Sequence, residues 1–157
     1  MDDAKPKEAA QHPPETPERF FDCGDETIFD SRSKLIWLKK DTWQMTGQWM
    51  NWVQSRDYAQ ELNRQKFAGY VNWRLPTPAE AKSLYEKTRE NKDYAGQQAR
   101  LHPAFPQGFG FLCWTSEVRN KIQAVRFGYR KGGTMFDDIY RSSRGATRLV
   151  RSMNKDL

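Results

Sequence analysis

The chain has 157 residues, room for one domain and a tail but not for two full domains, and its 6 Trp, 6 Tyr and 9 Phe in a total of 37% apolar residues call for an aromatic core and not an aliphatic one. Net charge is +6, which admits acidic partners. No apolar run approaches the roughly 20 residues that cross a bilayer, and residues 1–10 are charged without the apolar middle of a signal peptide, so the expectation is a cytoplasmic protein with no membrane insertion, or a periplasmic or extracellular one if a leader was removed.

Residues 1–18 carry Pro, Glu, Lys and Gln with almost nothing to bury, and read as a flexible N-terminal arm, with a docking peptide that orders on a partner as the alternative. Residues 27–38 read as strand, polar turn, strand. Over 49–64, Trp49, Trp52, Val53, Tyr58, Ala59 and Leu62 recur at helical spacing among polar residues, which predicts an amphipathic helix. Thr77, Pro78 and Glu80 then supply an N-cap, a proline at the first helical position and a capping-box glutamate, predicting a second helix over 78–90.

Residues 91–110 turn polar and then rich in Pro, Gly and Phe, as in an irregular loop. Its aromatics read first as side chains tucked into the core; the competing reading exposes Phe105, Phe109 and the adjoining Phe111 as recognition anchors. Alternating segments at 111–116, 122–129, 134–140 and 147–151, with a Lys131-Gly132-Gly133 turn, predict short antiparallel strands. The domain is expected over 19–153, with a tail at 154–157. Cys23 and Cys113 match no zinc or CxxC spacing and are expected to be reduced, buried thiols, one bridge being the alternative.

Several of these segments resemble one family. Trp52, Tyr58 and Leu62 on the first helix, Ala68-Gly69-Tyr70, Asn72-Trp73-Arg74-Leu75-Pro76-Thr77, and then Glu80 and Leu84 are similar to the central signature of the bacterial DUF1566, or Lcl C-terminal domain, family. Asp30, Ser33, Leu35, Ile36 and Trp37, the Cys113-Trp114-Thr115-Ser116 strand and Arg148-Leu149-Val150-Arg151 resemble its other blocks, in the family's order.

The resemblance implies an α+β fold of the C-type-lectin-like kind, related to formylglycine-generating enzymes: two helices packed on a twisted, mostly antiparallel sheet with long loops, the chain ends pairing as strands. It also implies structural roles for Trp37, Trp52, Trp73 and Trp114, and an Arg74 that hydrogen-bonds loop carbonyls.

No catalytic set is visible. His12 and His102 fall in the arm and in a loop, and no cysteine follows Cys113, unlike the late redox pair of the formylglycine-generating enzymes. The calcium-binding groups of sugar-binding lectins are missing, Asp137-Asp138 reads as a solvated turn, and Gly108-x-Gly110 is too short to cradle phosphate. Neither an enzyme nor a metal or other cofactor is expected.

Charge is the remaining signal. Residues 116–151 hold nine basic and three acidic side chains, an excess equal to the net charge of the whole chain. If 122–130 is one strand, Arg126 and Arg130 share a face, and the adjoining turns add Lys131, Arg141 and Arg144, with Arg119 and Lys121 nearby, in a basic patch at one end of the sheet. These seven cations, with Phe105, Phe109 and Phe111, are the expected contact residues. The competing reading is a charged face that only keeps the protein soluble.

The function expected is a non-catalytic binding or accessory module that presents loops and a basic face to a protein partner, within a larger assembly. The alternative is adhesin-like binding of a sulfated or acidic glycan or another polyanion, and an enzyme of the formylglycine-generating type comes third. No nucleic-acid reader motif is visible, and the balanced first part of the chain argues against a dedicated nucleic-acid protein.

Overall fold

Polar side chains at the tip of the first hairpin organise it. Asp30 accepts from the Arg32 backbone N–H (3.0 Å) and the Ser33 hydroxyl (2.9 Å), closing the turn between β2 (Thr27–Asp30) and β3 (Leu35–Leu38). Arg19, just before β1 (Phe20–Asp22), donates two bonds of 2.8 and 2.7 Å to the same carboxylate. Burial pushes the Asp30 pKa up, but the Arg19 and Ser33 bonds and the Arg19 charge outweigh it, so the group sits below its ordinary value.

The computed structural model describes residues 18–153. Apart from Glu18, the arm expected over 1–18, with His12, and the tail expected over 154–157 lie outside the described residues. No helix among the described residues is long and apolar enough to cross a membrane.

The fold is α+β, with antiparallel strands in three sheets where one was expected. The first has the order β1-β2-β3-β9, with β9 (Val150–Ser152) placing Val150 opposite Trp37, so both ends of the described chain join one sheet, but at its opposite edges and not paired with each other as expected, because β2 and β3 lie between them. A short helix that the sequence reading did not anticipate, α1 (Thr42–Thr46), follows; Asp41 and Gln44 form its capping box and Gly47, at φ 73°, ends it.

The first expected helix is α2 (Trp52–Arg64). It starts later than residue 49 because Asn51 caps it, reciprocally with Gln54, and it buries Ser55, Ala59 and Leu62. Leu62 and Ala59 pack with Trp73, Leu75, Trp114 and Leu149 in one of two core clusters.

The second, α3 (Pro78–Ser83), has the anticipated Thr77 and Glu80 capping box but stops well short of residue 90. Tyr85 bridges to Leu101 and the Glu86 N–H donates to the Arg100 carbonyl (3.0 Å), so the 98–101 segment takes up the backbone groups a longer helix would need. The long loop contains the pair β4 (Asn91–Lys92) and β5 (Gln98–Ala99).

The third sheet is a meander of β6 (Leu112–Arg119), β7 (Gln123–Gly128) and β8 (Thr134–Asp138). α3 packs against β6 and β7.

Trp37, Trp73 and Trp114 are buried, as expected of core aromatics. Trp52 is half-buried and donates its indole N–H to the Thr115 carbonyl (2.8 Å). Arg74 bonds mainly to the Glu80 carboxylate (2.8 and 3.0 Å), reaching only one carbonyl, its neighbour Leu75 (3.2 Å); the capping glutamate of α3 is the stronger acceptor.

The thiol expectation holds for Cys113, which is buried, but not for Cys23, which is exposed in the turn after β1, where a Cβ on the adjoining Gly24 would meet nothing within 4 Å; both are unbridged.

Candidate binding surface on the meander

The seven cations expected in one patch are carried by this meander and the segment after it, and its topology separates them. Asn120 and Lys121, at φ 53° and 65°, make the tight turn joining β6 to β7, so Arg119 and Lys121 lie at one end of the sheet. Arg130 and Lys131 lie in the turn joining β7 to β8, at the other end. Successive turns of a meander alternate ends, and the six residues of β7 hold these about 20 Å apart.

Arg126 is not a surface residue. Its face of the sheet is closed by the segment after β8: the guanidinium lies 4.1 Å over the Trp114 ring, with Nη2 3.4 and 3.1 Å from the Ser143 and Arg144 carbonyls. Nη1 donates to Asp137 Oδ2 (2.9 Å), and only 1% of the residue is exposed. Burial lowers its pKa, although the Asp137 carboxylate pulls the other way.

The exposed reading of Phe105 and Phe109 also fails. Both are fully buried, and the buried Arg148 guanidinium lies 4.6 Å over the first ring and 5.8 Å over the second. Arg148 Nη1 donates to the Lys39 carbonyl (2.5 Å), tying this loop to the first sheet. Phe111 alone of the three is half-buried.

Three more cations are engaged within the protein. Arg141 donates to Asp137 Oδ1 (2.6 Å), and Arg119 to Glu117 (2.8 Å) while lying 4.3 Å over Phe136. Arg130 donates its Nε to the buried Asp93 (2.7 Å) and lies 3.8 Å over Phe111. Lys121, Lys131 and Arg144 have no carboxylate partner among the described residues.

What survives as a site is local. Phe111, Gly128, Arg130, Lys131, Gly133 and Met135 line a mostly apolar cleft of about 320 Å³. Arg144, 5.5 Å from the Phe111 ring centre, stands beside it. Two arginines on one aromatic ring, a lysine and a flexible Met wall make an apolar floor with a cationic rim, suited to an apolar side chain flanked by carboxylates.

Met135 and Asp93 escaped the sequence reading. The only signal for Met135 was an apolar pair, Met135-Phe136, between Gly132-Gly133 and Asp137-Asp138; Asp93 is 37 residues from the arginine it holds.

Elsewhere, burial raises the Cys113 pKa, and burial with the Arg89 charge lowers that of His102, whose Nδ1 accepts from the Ala104 N–H (2.9 Å). Among the described residues no three His, Cys, Asp or Glu side chains converge as metal ligands would.

The model of the Lcl C-terminal domain family matches residues 26–151. The chain belongs to that family. The match takes in the opening hairpin, all three capped helices and the whole meander, and therefore every residue of the cleft in this Lcl C-terminal domain. No curated protein and no solved structure matches the chain.

Proposed function

We propose that this Lcl C-terminal domain is a non-catalytic binding module that engages an acidic protein surface through the cleft at Phe111 and Met135, as a subunit of a larger assembly. The observation that carries this reading is the pairing of an apolar floor with Arg130, Lys131 and Arg144 at the rim. Protein interfaces draw their binding energy from such aromatic and arginine anchors, whereas a polyanion alone needs only the cations.

The non-catalytic part is supported by the state of the candidate groups. Cys113 is a buried thiol held in its protonated form, and His102 is spent on its own loop. A C-type-lectin-like arrangement belongs to the same reading, supported by the sheet that joins the two ends of the domain and by the two capped helices. So does a cytoplasmic setting, which two unbridged thiols suit.

A second reading, binding of a sulfated or acidic glycan, is favoured by the three cations without carboxylate partners among the described residues, Lys121, Lys131 and Arg144. Affinity capture from native lysate separates the two, with Lys131→Glu/Arg144→Glu as the control. The double variant is expected to keep its thermal midpoint and to lose a partner by tenfold or more, while the wild type retains it at moderate salt. Retention only of heparin-like chains that elute as salt rises would favour the glycan reading.

A further inference from the structure

Among the described residues β8 is an edge strand, with β7 on one side only. Its register pairs Met135 with Arg126 and Asp137 with Ala124, and the bonds from Gly128 N–H to the Gly133 carbonyl (2.8 Å) and from Ile139 N–H to the Ile122 carbonyl (2.9 Å) lie on the same register. Hydrogen-bonded and open pairs alternate along an antiparallel ladder. Met135 and Asp137 therefore spend their backbone groups on β7, and Thr134, Phe136 and Asp138 turn theirs outward.

Asp138 is satisfied locally, its N–H donating to Asp137 Oδ1 (2.9 Å) and its carbonyl accepting from the Arg141 N–H (3.0 Å). The N–H and C=O of Thr134 and of Phe136 have no protein partner among the described residues. The flanking side chains are open as well: Met135 is 40% exposed and Phe136 45%. The strand has no proline, no lysine and no bulge, and its two charges, Asp137 and Asp138, sit together at its C-terminal end, leaving Thr134 to Phe136 without a protecting charge.

We propose that this edge accepts an extended, acidic segment of a protein partner as an added fourth strand. The proposal rests on the binding reading above and names its mode. Strand addition uses the four outward backbone groups for affinity and alternate side chains for specificity. Charge selects the occupant. Lys131 and Arg144 at one end of β8, Lys121 at the other and Arg141 just beyond it are exposed; of the strand's own two acids, Asp137 is paired with Arg126 and Arg141, and Asp138 is exposed at the Lys121 end, so the cations around the strand outnumber its acids. A second copy would bring the same cations against these; an acidic strand places carboxylates among them and apolar residues on Met135 or Phe136.

The test uses the full chain, isotope-labelled, and a synthetic peptide of alternating Glu and Val with blocked ends. The Thr134 and Phe136 amides are expected to shift and to gain exchange protection on titration. Thr134→Pro removes one outward donor without touching the β7 ladder, so it is expected to keep the fold and weaken binding about tenfold, whereas Thr134→Ser binds normally. Should the proline variant fold poorly, methylating alternate backbone nitrogens of the peptide makes the same test on the unaltered protein, and is expected to abolish binding.

No shift at Thr134 and Phe136, full binding by Thr134→Pro or by the methylated peptide, or β8 amides already protected in a dimer of this chain would overturn the proposal. Loss of binding in Lys131→Glu/Arg144→Glu alone, with Thr134→Pro unaffected, would leave the cationic cleft standing and reject the added strand. Loss in Thr134→Pro alone would support the strand and reject the cleft.

Discussion

Replacing Gly145 by alanine is expected to destabilise the chain by about 3 kcal/mol or more, enough to leave much of a marginally stable domain unfolded. Gly145 accepts from the Met50 N–H (2.7 Å) and Met50 accepts from the Trp114 indole N–H (3.1 Å), so three segments meet there through main-chain atoms. A Cβ at 145 would overlap the Met50 carbonyl oxygen and stand 3.0 Å from the Trp114 nitrogen. Neither neighbour is the end of a flexible side chain, so relief requires moving the loop ahead of α2 or the core tryptophan. Gly133→Ala is the control: a Cβ there meets nothing within 4 Å, and the change should stay within about 0.5 kcal/mol. Urea unfolding of the pair checks both.

Arg126→Ala should cost about 3 kcal/mol by the same measurement, in the range found when one member of a buried ion pair is removed. It strips the cation from over Trp114, takes one of two partners from Asp137 and leaves the Ser143 and Arg144 carbonyls without their donor. Arg144→Ala, at an exposed residue, is expected to move stability by no more than about 0.5 kcal/mol. The two arginines thus differ in kind. A loss of binding on reversing the charge of Arg126 would report lost folding, whereas a loss at Arg144 reports the surface.

Local chemistry was readable in the sequence where it is complete within a few residues. The Thr77-Pro78-x-Glu80 start of α3, the Asp30 to Ser33 turn and the apolar spacing of α2 each carry their own donors, acceptors or buried stripe. Reading stopped where a distant segment decides. Helix α3 ends early because Arg100 and Leu101 capture the following backbone. Arg126 alternates correctly on a strand, but nothing in that alternation shows that the 143–145 segment folds over its face. The cleft needed Phe111 and Arg130, from different ends of two loops, to be brought together by pairing of β6 with β7. Phe105 and Phe109 are long-range in the same sense, since their cover is Arg148.

The most direct measurement is photo-crosslinking with a benzoyl-phenylalanine in place of Met135, on the wall of the cleft, compared with the same group in place of Gln60, exposed on α2. In native lysate the Met135 position should yield an adduct with an acidic protein that disappears in the Lys131→Glu/Arg144→Glu background, and the Gln60 position should yield none. Adducts equal at both positions, unaffected by the charge reversal, or confined to glycan or nucleic acid would contradict a protein-binding cleft on this sheet.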